Sequence, residues 1–155
     1  MKRIIGLTTL FVLFALVFSG CEKKKEWTRV YDITNEVVIG SYSYSNVENA
    51  FEGLTENDNF HLCYDAQISL KQTTGNLVKF RFKSERTNFN VAVEDNLLQE
   101  EGDFKIFMSN ASCTVTAYVY RNEKNQTRLH GFVSKKDSQL VGYVNYYFDV
   151  IKDAE

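Results

Sequence analysis

From Trp27 onward, apolar and polar residues alternate with a period of two, the pattern of strands that bury one face. The clearest run is Leu77-Val78-Lys79-Phe80-Arg81-Phe82-Lys83. Val78, Phe80 and Phe82 fall on one side, and Lys79, Arg81 and Lys83 on the other. The same alternation returns at Phe89, Val91 and Val93, at Phe104, Ile106 and Met108, and at Leu129, Gly131 and Val133. The longest expected strand runs from about Gln139 to Val150. Turn formers separate these runs at Thr73-Thr74-Gly75-Asn76, Glu100-Glu101-Gly102-Asp103, Asn122-Glu123-Lys124-Asn125 and Lys135-Lys136-Asp137-Ser138. Turns recurring every ~8–12 residues predict an all-β domain. Tight turns between consecutive strands favour an antiparallel up-and-down meander of about eight or nine strands, closed into a barrel that leaves no exposed edge. A β-sandwich is the alternative, because periodicity alone suits either.

One segment departs from the period of two. Ser45-Asn46-Val47-Glu48 has the form of a capping box, and Val47, Ala50, Phe51 and Leu54 follow at helical spacing before Gly53 offers a stop. The expectation is a short lid helix that caps one open end and buries Phe51 and Leu54.

The N-terminus has a different pattern. Met1-Lys2-Arg3 is basic, Ile4 to Phe18 is an almost unbroken apolar run, and Ser19 and Gly20 precede Cys21. That is the layout of a secretory signal. Its apolar run of about 15 residues is shorter than the roughly 20 that a membrane-spanning helix needs. Phe18-Ser19-Gly20-Cys21 resembles the lipobox of bacterial lipoproteins, with Phe18 where Leu is usual. The resemblance implies a signal peptide at 1–20, acylation of Cys21, and a lipid anchor in the cell envelope, at the outer membrane. Glu22-Lys23-Lys24-Lys25-Glu26 reads as a short charged tether (21–26 with the acylated Cys21), and 27–155 as a single β domain. The periplasmic and surface faces both remain open.

The 155 residues include 12 Phe and 9 Tyr but no Pro, and the net charge is −2. Once Lys2 and Arg3 leave with the signal, the charge is more acidic, which argues against a nucleic-acid partner. Besides Cys21 there are Cys63 and Cys113. In an oxidising compartment the two can pair across a loop of about 50 residues, worth roughly 4 kcal/mol, or they can sit as buried thiols. Alternation points Cys113 inward with Val115, Ala117 and Val119, and places Cys63 with His61, Asp65 and Gln67, opposite Leu62 and Tyr64. No CxxC spacing suggests a metal.

Leu129-His130-Gly131-Phe132, Leu140-Val141-Gly142-Tyr143 and the ending Tyr146-Tyr147-Phe148 resemble the small calycin-like lipoproteins of Bacteroidetes. The calycin group includes lipocalins and fatty-acid-binding proteins. The lipocalin Gly-x-Trp signature is absent, since Lys25 and Glu26 precede Trp27. The resemblance therefore implies a barrel and transfers no ligand residues.

The candidate chemistry is sparse. His61 and His130 are the two histidines, and no nucleophile with local activating context accompanies either one, although His61 sits near Cys63. Glu94, Asp95, Glu100, Glu101 and Asp103 read as a solvated acidic turn without regular metal-ligand spacing. The expectation is a protein with no catalytic residues, no metal and no cofactor. The tyrosines carry the functional lead, since each combines an apolar ring with a polar tip. Tyr42, Tyr44, Phe51, Tyr143 and Tyr147 are the candidates for binding a small apolar or amphipathic ligand in or at the mouth of the barrel. The second reading is an accessory or inhibitory lipoprotein that meets an envelope partner through a face such as Tyr118 and Tyr120.

Overall fold

The computed structural model describes residues 27–30, 33–99, 105–137 and 142–154. They form one mostly antiparallel sheet of eleven strands with a single short helix. In chain order these are β1 (Thr28–Arg29), α1 (Asn35–Val38), β2 (Gly40–Tyr44), β3 (Phe60–Leu62), β4 (Gln67–Gln72) and β5 (Leu77–Ser84). There follow β6 (Phe89–Asn96), β7 (Leu98–Gln99), β8 (Lys105–Ser109), β9 (Cys113–Arg121), β10 (Thr127–Asp137) and β11 (Gly142–Lys152).

From β4 to β6 and from β7 to β11 each strand pairs with the next in sequence, and β11 returns to pair antiparallel with β2 (Val150↔Tyr44, Lys152↔Tyr42). The chain is thus a curled meander with its first and last long strands joined. Its backbone ladder does not close between β6 and β8. β6 pairs with β5 as far as Asn96, and beyond Leu97 the chain changes sides, so that β7 pairs with β8. Side chains stitch the seam: Asp95 accepts from the Ser109 backbone N–H (3.0 Å), and the Asn110 amide donates to the Ala92 carbonyl (3.3 Å). The sheet is open, compatible with a barrel or a sandwich.

Alternation holds where it was clearest. Val78, Phe80 and Phe82 are buried while Arg81 and Lys83 are exposed. Val115, Ala117 and Val119 of β9 meet Leu129 and Val133 of β10 and Phe148 and Val150 of β11 in one continuous apolar cluster. Phe80 and Phe82 lie 6.3 and 5.9 Å from Phe148 between ring centroids. Burying each such ring contributes about 1.5–3 kcal/mol. Side chains also fill the two ends. At one, Val38 of α1 is fully buried and the Tyr42 hydroxyl donates to its carbonyl at 2.7 Å. At the other, Phe89 and Tyr146 stack at 3.7 Å, and His61 stacks on Tyr146 at 5.1 Å. Gly131 lets β9 and β10 approach closely, since a Cβ there would lie 2.1 Å from the Thr116 carbonyl oxygen.

Some local expectations fail. The one helix is α1, earlier than the expected lid, and residues 47–54 instead form three successive turns (Ala50 N–H to Val47 O, Glu52 to Asn49, Leu54 to Phe51). Asn46 and Asn49 are left-handed, with φ of 49° and 61°, which breaks a helix at each. The Ser45 hydroxyl accepts from the Val47 N–H (3.2 Å) and donates to Asp149, so it closes a local turn with no helix beyond it. Lys135 to Asp137 continue β10 rather than turning; β11 runs from Gly142 to Lys152, and Ser138 and the expected strand start at Gln139 lie outside the described residues. The turn expected at Glu100 to Asp103 lies outside the described residues.

Candidate functional site

The registers divide the outer face of the sheet into two chemically different halves. Across β4, β5 and β6 the outward rows are Gln67–Lys83–Asn90, Ser69–Arg81–Ala92 and Lys71–Lys79–Glu94. This half is charged or small, with Glu94 bonded to Thr73 (3.0 Å) and 3.9 Å from Lys79. Across β9, β10 and β11 the rows are Tyr118–His130–Asp149, Thr116–Phe132–Tyr147 and Thr114–Ser134–Asn145. Here aromatic rings stand half-buried on the outside. Tyr147 lies 5.6 Å from Phe60 and 5.2 Å from Phe132, and Tyr143, 58 % exposed, continues the face.

The segment between β2 and β3 makes this half. β2 and β3 use the same edge of β11, β2 antiparallel at 150–152 and β3 parallel at 145–147. The intervening chain therefore bulges outward over β11 and β10. The Ser45 backbone N–H donates to the Asp149 carbonyl (2.9 Å), and Phe51 reaches His130, centroids 6.5 Å apart. Glu56 fastens the far end, accepting from the Leu62 N–H (3.1 Å) and pairing with Arg86 (3.3 Å). Tyr44, Phe51 and Tyr64 then pack together: Tyr44 stacks on Phe51 at 6.5 Å, and Tyr64 meets both edge-on at 5.8 and 5.1 Å. With Val47, Asn49, Ala50 and Glu52 they line a shallow cleft of about 220 Å³. Arg86 lies 5.0 Å over the Tyr64 ring, which is 41 % exposed. Burial, then the nearby Tyr64 and Asp149, push the Tyr44 hydroxyl above its ordinary pKa.

No family model, curated protein or solved structure matches the chain. The functional reading therefore rests on the sequence and the geometry.

Beneath the bulge, Asp149 is fully buried on the outer face and bonds three side chains. Arg128 donates through Nε to both carboxylate oxygens (2.9 and 3.0 Å) and through Nη2 to Oδ2 (2.5 Å), His130 Nδ1 lies 2.8 Å from Oδ2, and the Ser45 hydroxyl donates to Oδ1. Burial alone would raise this carboxyl. The bonds from His130, Arg128 and Ser45, with the Arg128 charge, hold it below its usual range. Ser, His and Asp meet here, but Ser45 bonds the carboxylate directly rather than through His130, unlike a Ser–His–Asp relay. The cluster fastens the bulge to the sheet. Arg128 also lies 5.6 Å from Trp27 and 5.7 Å from Tyr120, and Arg29 lies 4.4 Å over Tyr118. Such contacts are worth about 0.5–1 kcal/mol each at exposed sites.

The five candidate tyrosine and phenylalanine positions separate. Tyr44 and Phe51 share the cleft, and Phe51 is only 8 % exposed. Tyr143 and Tyr147 share the aromatic outer face. Tyr42 is 1 % exposed inside the core, so it does not line a binding surface. The cleft lies on the side wall beside β11, and no mouth joins the five.

Cys63 and Cys113 are both buried and unbridged. Cys63 does not share an exposed face with His61 and Asp65, because the chain turns there (Ala66 N–H to Cys63 O, 3.2 Å) and the alternation lapses. Burial pushes its thiol up to about 11, against smaller opposing bonds from Ser84 and Thr87. Asp65 ties the same turn to the next hairpin, accepting from Ser84 (2.6 Å) and the Arg86 N–H (2.8 Å). Among the described residues no group of three or more His, Cys, Asp or Glu could hold a metal ion, and no helix is long and apolar enough to cross a membrane. Cys21 lies outside the described residues. Sequence reasoning missed Phe60, Tyr64, Phe132 and Asp149. Phe132 carried a faint signal, because it stands on the polar side of its strand beside His130.

Proposed function

We propose that the chain is a non-enzymatic envelope lipoprotein, anchored through Cys21, that acts by contact with a protein partner on its aromatic outer face. One observation carries this reading. The interior is occupied by the protein's own side chains, whereas Phe60, Phe132, Tyr143 and Tyr147 are gathered on the outside of one half of the sheet. Aromatic rings half-exposed on one face are the composition of contact surfaces, and the rows of the opposite half hold charged, amide and small side chains without an aromatic ring. Site-specific photocrosslinkers at 132 and 147, compared with 81 and 92 in intact envelopes, test it. Discrete adducts from the first pair alone support the reading, and equal or absent adducts at all four sites refute it.

A second reading has its own observation. The cleft of Tyr44, Phe51 and Tyr64 would take a small apolar or amphipathic group, although 220 Å³ is below the ~300 Å³ at which ligand pockets usually begin. Thermal shifts across lipids, haem, sugars and bile acids, repeated on Phe51→Ala, test this. A shift that survives Phe51→Ala places binding elsewhere.

A further inference from the structure

The N-terminal strand fixes where the tether leaves the domain. β1 runs antiparallel to β9, with Thr28 opposite Arg121 and Arg29 opposite Tyr120, and the Val30 N–H donates to the Val119 carbonyl at 2.9 Å. Arg121 is the last residue of β9, so the chain enters the sheet at that end, and Trp27 stands at the point of entry. At the same level Arg128 is opposite Tyr120 on one side and Ile151 on the other. The Arg128 guanidinium, held in place by Asp149, is flanked by the Trp27 and Tyr120 rings at 5.6 and 5.7 Å. Trp27 is the one tryptophan of the chain, and it is only partly covered.

We infer that this end of the sheet rests on the bilayer, with Trp27, Tyr120 and Arg128 in the phospholipid headgroup layer next to the anchored Cys21. The inference rests on the lipoprotein reading of Cys21. Five residues stand between Cys21 and Trp27, making six residue steps. Fully extended they reach roughly 20 Å, at 3.3–3.6 Å per residue, so the entry point cannot stand far from the surface. Trp and Tyr collect in the interfacial layer because one end of each ring is apolar and the other polar. The intervening Glu22-Lys23-Lys24-Lys25-Glu26 has more positive than negative charge, which suits a surface with anionic lipids. Tyr143 lies eight residues up β11 from Ile151, about 27 Å at ~3.4 Å each, and would face away from the membrane. That leaves the outward part of the aromatic face, around Tyr143 and Tyr147, free for a partner.

The lone tryptophan makes the test direct. The full chain, processed in a bacterial host and reconstituted into phosphatidylethanolamine–phosphatidylglycerol vesicles, is compared with and without lipids brominated near the headgroup end of their chains. Trp27 should lose most of its emission to the bromines and gain protection from aqueous acrylamide. In Trp27→Phe combined with Tyr143→Trp, the new indole should keep its emission and remain open to acrylamide. Acylated, vesicle-bound protein with unquenched Trp27 overturns the inference and leaves the anchoring reading intact. Equal quenching at 27 and 143 also overturns it, since the domain would then lie on its side. If the N-terminal peptide carries no acyl chain on Cys21, the anchoring reading fails and the inference fails with it.

Discussion

Removing the charge at Asp149 tests how the outer wall is built. Asp149→Asn keeps the shape and deletes the charge beneath the 45–59 bulge. The carboxylate is fully buried, and the side chain of its partner Arg128 is only 13 % exposed, so the change leaves a largely covered guanidinium without its counter-charge. Breaking a buried pair from one side costs about 3–5 kcal/mol. Asparagine keeps one acceptor oxygen, which favours the lower figure. For a domain of this size each kcal/mol corresponds to roughly 3–5 °C, so the melting temperature should fall by roughly 10–15 °C. The sign of the pH dependence also follows. Because the folded carboxyl is held below its ordinary value, its stabilising effect is complete above that value, near ~3.9, and is lost as pH falls through the lower folded value. Urea unfolding of the native chain should therefore lose stability in acid more steeply than unfolding of Asp149→Asn. Hydrogen exchange at Ala50, Glu52 and Leu54, the amides of the turns above it, should quicken in the variant. Glu85→Gln is the control, since its pair with Lys83 is exposed and should cost less than ~0.5 kcal/mol. A loss below about 1 kcal/mol for Asp149→Asn, or parallel pH profiles, would refute the role given to this cluster.

Other outcomes follow from the same contacts. Phe148→Ala, at the centre of the Phe80–Phe82–Phe148 group, should cost about 3–5 kcal/mol in urea unfolding. Gly131→Ala should cost about 1–3 kcal/mol, because its methyl would collide with the Thr116 and Ala117 backbone. Tyr42→Phe should cost about 1 kcal/mol by removing the bond to Val38, and ultraviolet titration should show Tyr42 still protonated where ordinary tyrosines have ionised. With its thiol raised to about 11, Cys63 should resist iodoacetamide at pH 8 until the protein is unfolded; labelling of the folded protein at the unfolded rate would contradict its burial.

The legible parts of the fold were those set by near neighbours. The alternation of Val78, Phe80 and Phe82 needs only a period of two, and Thr73-Thr74-Gly75-Asn76 carries its own turn chemistry, with Gly75 at φ 61°. The bulge was not legible, because what decides it is distant. Ser45 reads as a helix cap, yet besides accepting from Val47 its hydroxyl donates to Asp149, 104 residues later, which ties the segment to the sheet. Tyr42 and Tyr44 read alike, yet one is sealed under α1 and the other meets Phe51 and Tyr64. Cys63 was misplaced because a turn, which alternation cannot register, rotates the chain there. The aromatic face itself depends on cross-strand register: Thr116, Phe132 and Tyr147 form a row only once β9, β10 and β11 are aligned.

The most direct test of a filled interior with recognition outside is a methyl-resolved NMR titration with an amphipathic probe such as lauric acid. The account expects the interior methyls of Leu70, Val93, Val115, Val119 and Leu129 to keep their shifts at saturation, with any change confined to Val47, Ala50 and Leu54 around the cleft. Saturable shifts of the interior set would mean that the sheet opens to take a ligand inside, and would contradict it.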